Sequence, residues 1–194
     1  MGSMKQAPLT LRRWTRAEYD RLVDLGMLDR EPVELIGGHL VVAEPHGSYH
    51  AGTLGAAGDA LRAALPPGWL VRVQLPVALD DESEPEPDLA LVPGEWTDFL
   101  TTHPSRPVLV VEVSESSLLF DRGEKGSLYA RGEIRDYWIV NLVDRLLEVY
   151  REPEPDSTAP YGWRYRSVQR MTRDAVISPL ALPTVRVAVA ALLP

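Results

Sequence analysis

The stretch PVLVVEV at residues 107–113 constrains this chain more than any other. An apolar, β-branched run without alternation is a strand inside a sheet that is covered on both faces. Glu112 interrupts that run. An ionised carboxylate at the end of a buried strand is costly unless a cation or hydrogen-bond donors meet it. Asp121 and Lys125 follow closely, and upstream Asp88 opens a second apolar strand, Leu89-Ala-Leu-Val92. Two carboxylates on two strands plus one lysine make a candidate metal-and-base site.

The 194 residues suffice for one domain with a sizeable core, and 45% hydrophobic and 25% charged content is ordinary for a soluble globular protein. There is no cysteine, which excludes disulfides and thiolate metal sites and fits a cytoplasmic location. No apolar stretch reaches the roughly 18 residues of a membrane span, and the start lacks the apolar region of a signal peptide. Met1-Gly-Ser-Met4 reads as a cloning remnant, residues 1–14 as a flexible lead-in, and 15–194 as one domain. The net charge of −8 leaves no overall basic footprint for nucleic acid. It does not forbid a nuclease, because a metal site itself needs carboxylates.

Thr15-Arg-Ala-Glu18 matches a capping box, which predicts a short helix to about Leu25 with Gly26 as its stop. Residues 32–36 and 39–42 flank Gly37-Gly38 as a β-hairpin. Glu34 on that hairpin is either solvent-facing or a third acid over the site. Leu54, Ala57, Leu61 and Leu65 are spaced as the apolar face of a helix over 48–65. His46 and His50 near its start read as cap or surface groups. Residues 69–75 read as a strand, with 76–79 as its continuation past a break at Pro76. The five acids from Asp80 to Glu86 read as a solvated acidic loop, and 96–100 as one helical turn. Residues 121–131 read as a helix with Asp121, Lys125 and Tyr129 on one face, where a surface ion pair would be the plain interpretation. Strands follow at 136–141 and 145–150, then an exposed loop at 151–160, short β segments, and an apolar tail at 183–193 that should dock.

Asp88 and Glu112 converge if their strands are neighbours, and two hard oxygen ligands suit Mg²⁺ or Mn²⁺. On residue chemistry alone, a metal site and a buried Glu112–Lys125 salt bridge are both open. Asp88, Glu112 and a lysine resemble the PD-(D/E)XK, restriction-endonuclease-like superfamily. Pro87-Asp88, the 110–114 stretch VVEVS, the 121–130 stretch DRGEKGSLYA and the 136–141 stretch DYWIVN are similar to the Uma two family of proposed endonucleases. The hairpin around Glu34 and the closing Leu-Pro-Thr add to the likeness, which spans roughly 30–190.

The superfamily's lysine usually stands two residues beyond the glutamate, on the same face of the strand. Here that position is Ser114, and 114–120 contain no Lys or Arg. The resemblance implies that Lys125 takes the role from the following helix and that Glu34 is a further carboxylate of the site. It implies an α/β fold with a mixed central sheet flanked by the 48–65 and 121–131 helices, with extra β-hairpins. It also implies a metal-dependent endonuclease acting on DNA, with Asp88 and Glu112 holding Mg²⁺ or Mn²⁺. A homodimer is expected, with Trp96, Trp138 and Trp163 as exposed aromatics, and so is a positive rim from Arg72, Arg122 and Arg131. The alternatives are an inactive nuclease-fold assembly module and a metal-dependent hydrolase of a small phosphorylated substrate.

Overall fold

The structure, a computed structural model, describes residues 10–43 and 45–193. The Met1–Met4 remnant lies outside them. The capping box forms as its spacing requires: Thr15 Oγ1 accepts from Glu18 N at 3.3 Å, and Glu18 Oε2 accepts from Thr15 N at 3.0 Å. Helix α1 (Arg16–Asp24) follows and stops at Gly26 with φ +66°. Strands β1 (Val33–Ile36) and β2 (His39–Val42) pair antiparallel around Gly37 and Gly38. Both glycines have positive φ, as a two-residue hairpin turn demands. A Cβ on Gly38 would sit 2.5 Å from Arg13 Cβ, and Trp14 N–H donates to Gly38 O at 2.9 Å. The segment before α1 is thereby pinned to the hairpin.

Helix α2 (Ser48–Ala64) precedes β3 (Trp69–Val73) and β4 (Leu89–Pro93). A 3₁₀ turn at Trp96–Phe99 leads to β5 (Leu109–Ser114), which is buried along its whole length. Next come α3 (Leu118–Phe120), a π turn (Asp121–Lys125) and α4 (Gly126–Arg131), so the helix expected over 121–131 starts earlier, at Leu118, and its first five expected residues form the π turn. Strands β6 (Asp136–Asn141), β7 (Leu146–Pro155) and β8 (Trp163–Met171) complete a mixed sheet in the order β3-β4-β5-β6-β7-β8. Only the β5–β6 pair in that sheet is parallel.

Parity along β5 divides the core. Val111 and Val113 face α2, where Leu54, Ala57 and Leu61 pack. Val110 faces α4 with Tyr129, Ala130, Tyr137, Ile139, Tyr150 and Tyr165. Tyr137 lies at the centre of that second layer, 5.1 Å from the Tyr129 ring and 5.5 Å from Tyr150. The apolar tail docks as expected. Strand β9 (Val176–Ile177) pairs with β10 (Val187–Ala188), and α5 (Val189–Leu192) buries Val189 and Leu192 in the α2 layer. No helix among the described residues is long and apolar enough to cross a membrane.

Three local expectations are overturned. Residues 76–79 do not extend β3, because Gln74 turns the chain at φ +46°. The first part of the loop expected at 151–160 is strand, since β7 runs through Pro155 and pairs with β8 as far as Pro155↔Trp163. Strand β6 ends opposite Arg151, so beyond that point β7 is an edge on one side, where Pro153 and Pro155 need donate no ladder bond. Trp138 is not an exposed aromatic: it is fully buried, its Nε1 donating to Asp136 Oδ1 at 2.8 Å. Trp163 is half-buried, and only Trp96 of the three is exposed.

Candidate metal and lysine centre

The β4–β5 register builds this centre. Leu89 pairs with Val111, so one step further Asp88 stands opposite Glu112. Asp88 N–H donates to Glu112 Oε2 at 3.2 Å, and Val113 N–H donates to Asp88 Oδ2 at 2.9 Å. Each acid is therefore oriented by the backbone of the strand carrying, or flanking, the other. Gln74, the residue after β3, supports Asp88. Its left-handed backbone, strained for a residue with a side chain, carries an amide that donates to Asp88 Oδ1 at 3.2 Å.

Lys125 reaches the acids because of the π turn. Ser114, where the superfamily's lysine usually stands, donates instead to Asp121 Oδ2 at 2.7 Å, and Ser117 donates to the same oxygen at 2.6 Å. These bonds anchor the start of the π turn, and the extra residue per turn sends both Asp121 and Lys125 inward. Lys125 Nζ lies 3.1 Å from Glu112 Oε1 and 3.4 Å from Glu34 Oε1. Tyr129, one turn further on, donates its hydroxyl to Glu112 Oε1 at 2.7 Å. Asp121 and Lys125 are thus buried groups and not a surface ion pair. Glu34 faces inward, its Oε2 accepting from Glu86 N–H at 3.0 Å.

A cleft of about 740 Å³ opens over these groups. Its acids are Glu34, Glu86, Asp88, Glu112, Glu115 and Asp121, and against them its lining holds Lys125 and two histidines, with no arginine. Burial pushes Glu112 up to about 8; Lys125 opposes this, while Asp121, Asp88 and Glu34 add to it. Burial likewise raises Asp121 and Glu86. It works against the Asp88 charge too, but the bonds from His50 and Val113 N–H outweigh it and hold that carboxyl below its usual range. Lys125 loses water on burial, yet Glu112, Glu34 and Asp121 more than compensate and keep it charged well above the ordinary lysine range. The cleft holds more negative charge than its own cations neutralise.

The three arginines expected at a positive rim do not form one. Arg72 is buried against the Trp96 and Phe99 rings, with centroids at 6.0 and 5.4 Å. Arg122 binds Glu148 and Asp144, and Arg131 binds Asp80 at 2.6 Å. Each guanidinium is held by neighbouring rings or acids, and none of the three residues is part of the cleft lining.

The acidic 80–86 segment is not a solvated loop throughout. Its backbone is tied under the hairpin, Glu84 N–H donating to Leu35 O at 2.8 Å and Gly38 N–H to Glu82 O at 2.7 Å. Glu84 is only 4% exposed, and burial pushes it up to about 7, with Asp20 adding to the rise and Arg16 opposing it. The folded chain keeps a proton there that the unfolded chain releases above about pH 4.3. Stability therefore falls as pH rises from there to about 7, then levels off. Glu84→Gln should match wild type at pH 4 or below and exceed it by about 1–2 kcal/mol at pH 8 in urea denaturation.

Residues 16–190 match the family model of Uma2, described as "Putative restriction endonuclease". The chain belongs to the Uma2 family. No curated protein matches it in sequence. Among solved structures it is similar to the crystal structure of "a putative nuclease belonging to DUF820" from Anabaena variabilis, with a TM-score of 0.60 and 11% identity over 82% of this chain and 88% of that one. The fold is the restriction-endonuclease-like α/β core expected from the sequence resemblance. In this Uma2 chain the structure gathers Glu34, Asp88, Glu112 and Lys125 in one cleft. Sequence reasoning left out His50, whose Nε2 lies 3.2 Å from Asp88 Oδ2, as well as Gln74 and Tyr129. Two histidines, His46 and His50, flanking the start of one helix were the available signal for the first of these.

Proposed function

We propose that this Uma2 protein is a metal-dependent endonuclease that hydrolyses phosphodiester bonds of DNA. The observation that carries the reading is the pairing of Asp88 with Glu112 across adjacent strands, with Lys125 against Glu112, in a cleft oversupplied with negative charge. The donors suit a divalent cation. Glu112 Oε2 has one described hydrogen bond, from Asp88 N–H, and Asp88 Oδ2 has one backbone donor, Val113 N–H, beside the His50 ring, so an oxygen of each carboxylate is open to an ion. Hard oxygen donors with room for water fit Mg²⁺ or Mn²⁺. When bound, such an ion supplies an acidified water and stabilises charge on a phosphoryl oxygen.

The chain's own groups divide the remaining work. Asp88 and Glu112 hold the cation, their orientation fixed by Val113 N–H, Gln74 and Asp88 N–H. Lys125, kept charged by Glu112, Glu34 and Asp121, acts as a hydrogen-bond donor and positive charge beside the attacked phosphate and not as a base. Glu34 holds the ammonium from the hairpin side. A homodimer remains part of the proposal on the family resemblance, although buried Trp138 lends it no surface.

The bound-up arginines favour a second reading, a hydrolase of a small phosphorylated substrate that needs no cationic track for a nucleic-acid backbone. One assay separates the two. Wild type and Asp88→Asn are incubated with supercoiled plasmid and with bis(p-nitrophenyl) phosphate, in Mn²⁺ and in EDTA. The endonuclease reading expects Mn²⁺-dependent nicking that falls on the order of 10²–10³-fold in Asp88→Asn. Turnover of the small diester without nicking supports the second reading. No turnover of either substrate overturns both and leaves the assembly module.

A further inference from the structure

We propose that His50, completed by His46, supplies nitrogen ligation beside Asp88, so that the resident ion is a transition-metal cation of the Mn²⁺, Co²⁺ or Zn²⁺ kind in preference to Mg²⁺. The inference rests on the metal-dependent reading above and narrows it. His50 sits in the first turn of α2 and is 5% exposed. Its Nε2 lies 3.2 Å from Asp88 Oδ2, and its Nδ1 is buried with no hydrogen-bond partner. The ligand atoms of His46, His50 and Asp88 all fall within 4.8 Å of one another, on the wall of the acidic cleft.

The spacing is that of two ligands on one ion. Metal–ligand distances of about 2.1 Å put neighbouring ligands roughly 3.0 Å apart in an octahedron and 3.4 Å apart in a tetrahedron. The His50–Asp88 separation of 3.2 Å lies between these values. The Asp88 carboxylate is already set in direction by Val113 N–H on one oxygen and Gln74 on the other.

His46 is the adjustable member. Its ring stacks on His50 at 3.8 Å with 5° between the planes. Stacked rings keep their in-plane lone pairs in two separate parallel planes, so His46 must turn about its side-chain bonds to join the ion. It is exposed and precedes the helix, which leaves it room to turn. Imidazole nitrogen favours the later divalent metals, whereas Mg²⁺ prefers an all-oxygen shell. The buried, preset His50–Asp88 pair therefore gives the site a preference that Asp88 and Glu112 alone would not.

The test titrates Co²⁺ and Mg²⁺ separately into metal-free wild type, His50→Gln, His46→Ala, Asp88→Asn and Glu112→Gln, by calorimetry and by the visible absorption of bound Co²⁺. Wild type should bind Co²⁺ more tightly than Mg²⁺. His50→Gln should lose at least about tenfold in Co²⁺ affinity, the loss that even an outer-shell change causes, with an altered Co²⁺ spectrum and little change for Mg²⁺. Gln retains a donor toward Asp88, and the melting temperature of each metal-free variant checks the fold. If His50→Gln fails to fold, His46→Ala at its exposed position decides by whether it weakens Co²⁺ selectively.

Unchanged Co²⁺ affinity and spectrum in the folded histidine variants overturn the inference. If Asp88→Asn and Glu112→Gln then still abolish Mg²⁺ binding, the carboxylate site stands. Co²⁺ held through His50 by a protein that cleaves no phosphodiester supports the inference while rejecting the nuclease. Failure of every ion to bind rejects both.

Discussion

Replacing Lys125 with methionine should remove about 3 kcal/mol of stability at pH 8, and clearly less at pH 5. Lys125 is 7% exposed and is the one lysine among the acids that line the cleft. Without it, Glu112 and Glu34 lose their shared counter-charge, and Asp121 loses a favourable neighbour. The sign of the pH effect follows from both partners. Lys125 is raised in the folded state, so its contribution is complete at pH 8 and is lost only as pH rises through its folded value. Glu112, raised to about 8 even with the lysine present, takes a proton at pH 5 and no longer needs a cation. Urea denaturation at the two pH values measures the difference. An equal loss at both would mean that the acids around Lys125 do not carry the charge assigned to them. Glu112→Gln is the counterpart: it should stay within about 1 kcal/mol of wild-type stability, since it removes an acid from a surplus at the cost of roughly one hydrogen bond, yet it should lose cleavage.

The second large effect lies outside the cleft. Asp136 is fully buried and accepts from Arg151 Nε at 2.8 Å, Trp138 Nε1 at 2.8 Å and Leu180 N–H at 2.8 Å. Asp136→Ala leaves the Arg151 guanidinium without its counter-charge and two N–H donors without acceptors, which should cost about 4 kcal/mol. It should not change the rate per folded molecule, because Ile139 is the β6 residue opposite Glu112 and Asp136 lies three residues, roughly 10 Å, before it. Thermal melts paired with the cleavage rate at a temperature where the variant is folded test this. A rate loss out of proportion to the unfolded fraction would draw Asp136 into the chemistry.

Signals carried by a few consecutive residues were legible in the sequence. The Thr15–Glu18 capping box, the Gly37-Gly38 turn, and the unbroken apolar run with Glu112 inside it each specify their own local structure. Asp88 was legible as a partner because it opens the neighbouring strand. What was not legible depends on a partner far along the chain. Glu84 looks solvated until β1 is laid over it, and Pro153 and Pro155 look like loop until β8 gives them one paired side. His50 meets Asp88 only because α2 docks with its first turn over the start of β4. The arginines expected at a rim are charge-balanced by Glu148, Asp144 and Asp80, or stacked on Trp96 and Phe99, none of which adjoins them in sequence. Lys125 lies between these cases, since its inward turn comes from a π turn that Ser114 and Ser117 anchor through Asp121.

The central claim is that Asp88 and Glu112 hold one divalent cation between them. Crystals grown with Mn²⁺ and measured for anomalous scattering near the manganese edge test it most directly. The account predicts a peak about 2.1 Å from a carboxylate oxygen of each residue, absent in Asp88→Asn. A featureless anomalous map at saturating Mn²⁺, with Lys125 still on Glu112, would contradict it and leave a salt-bridged acidic core.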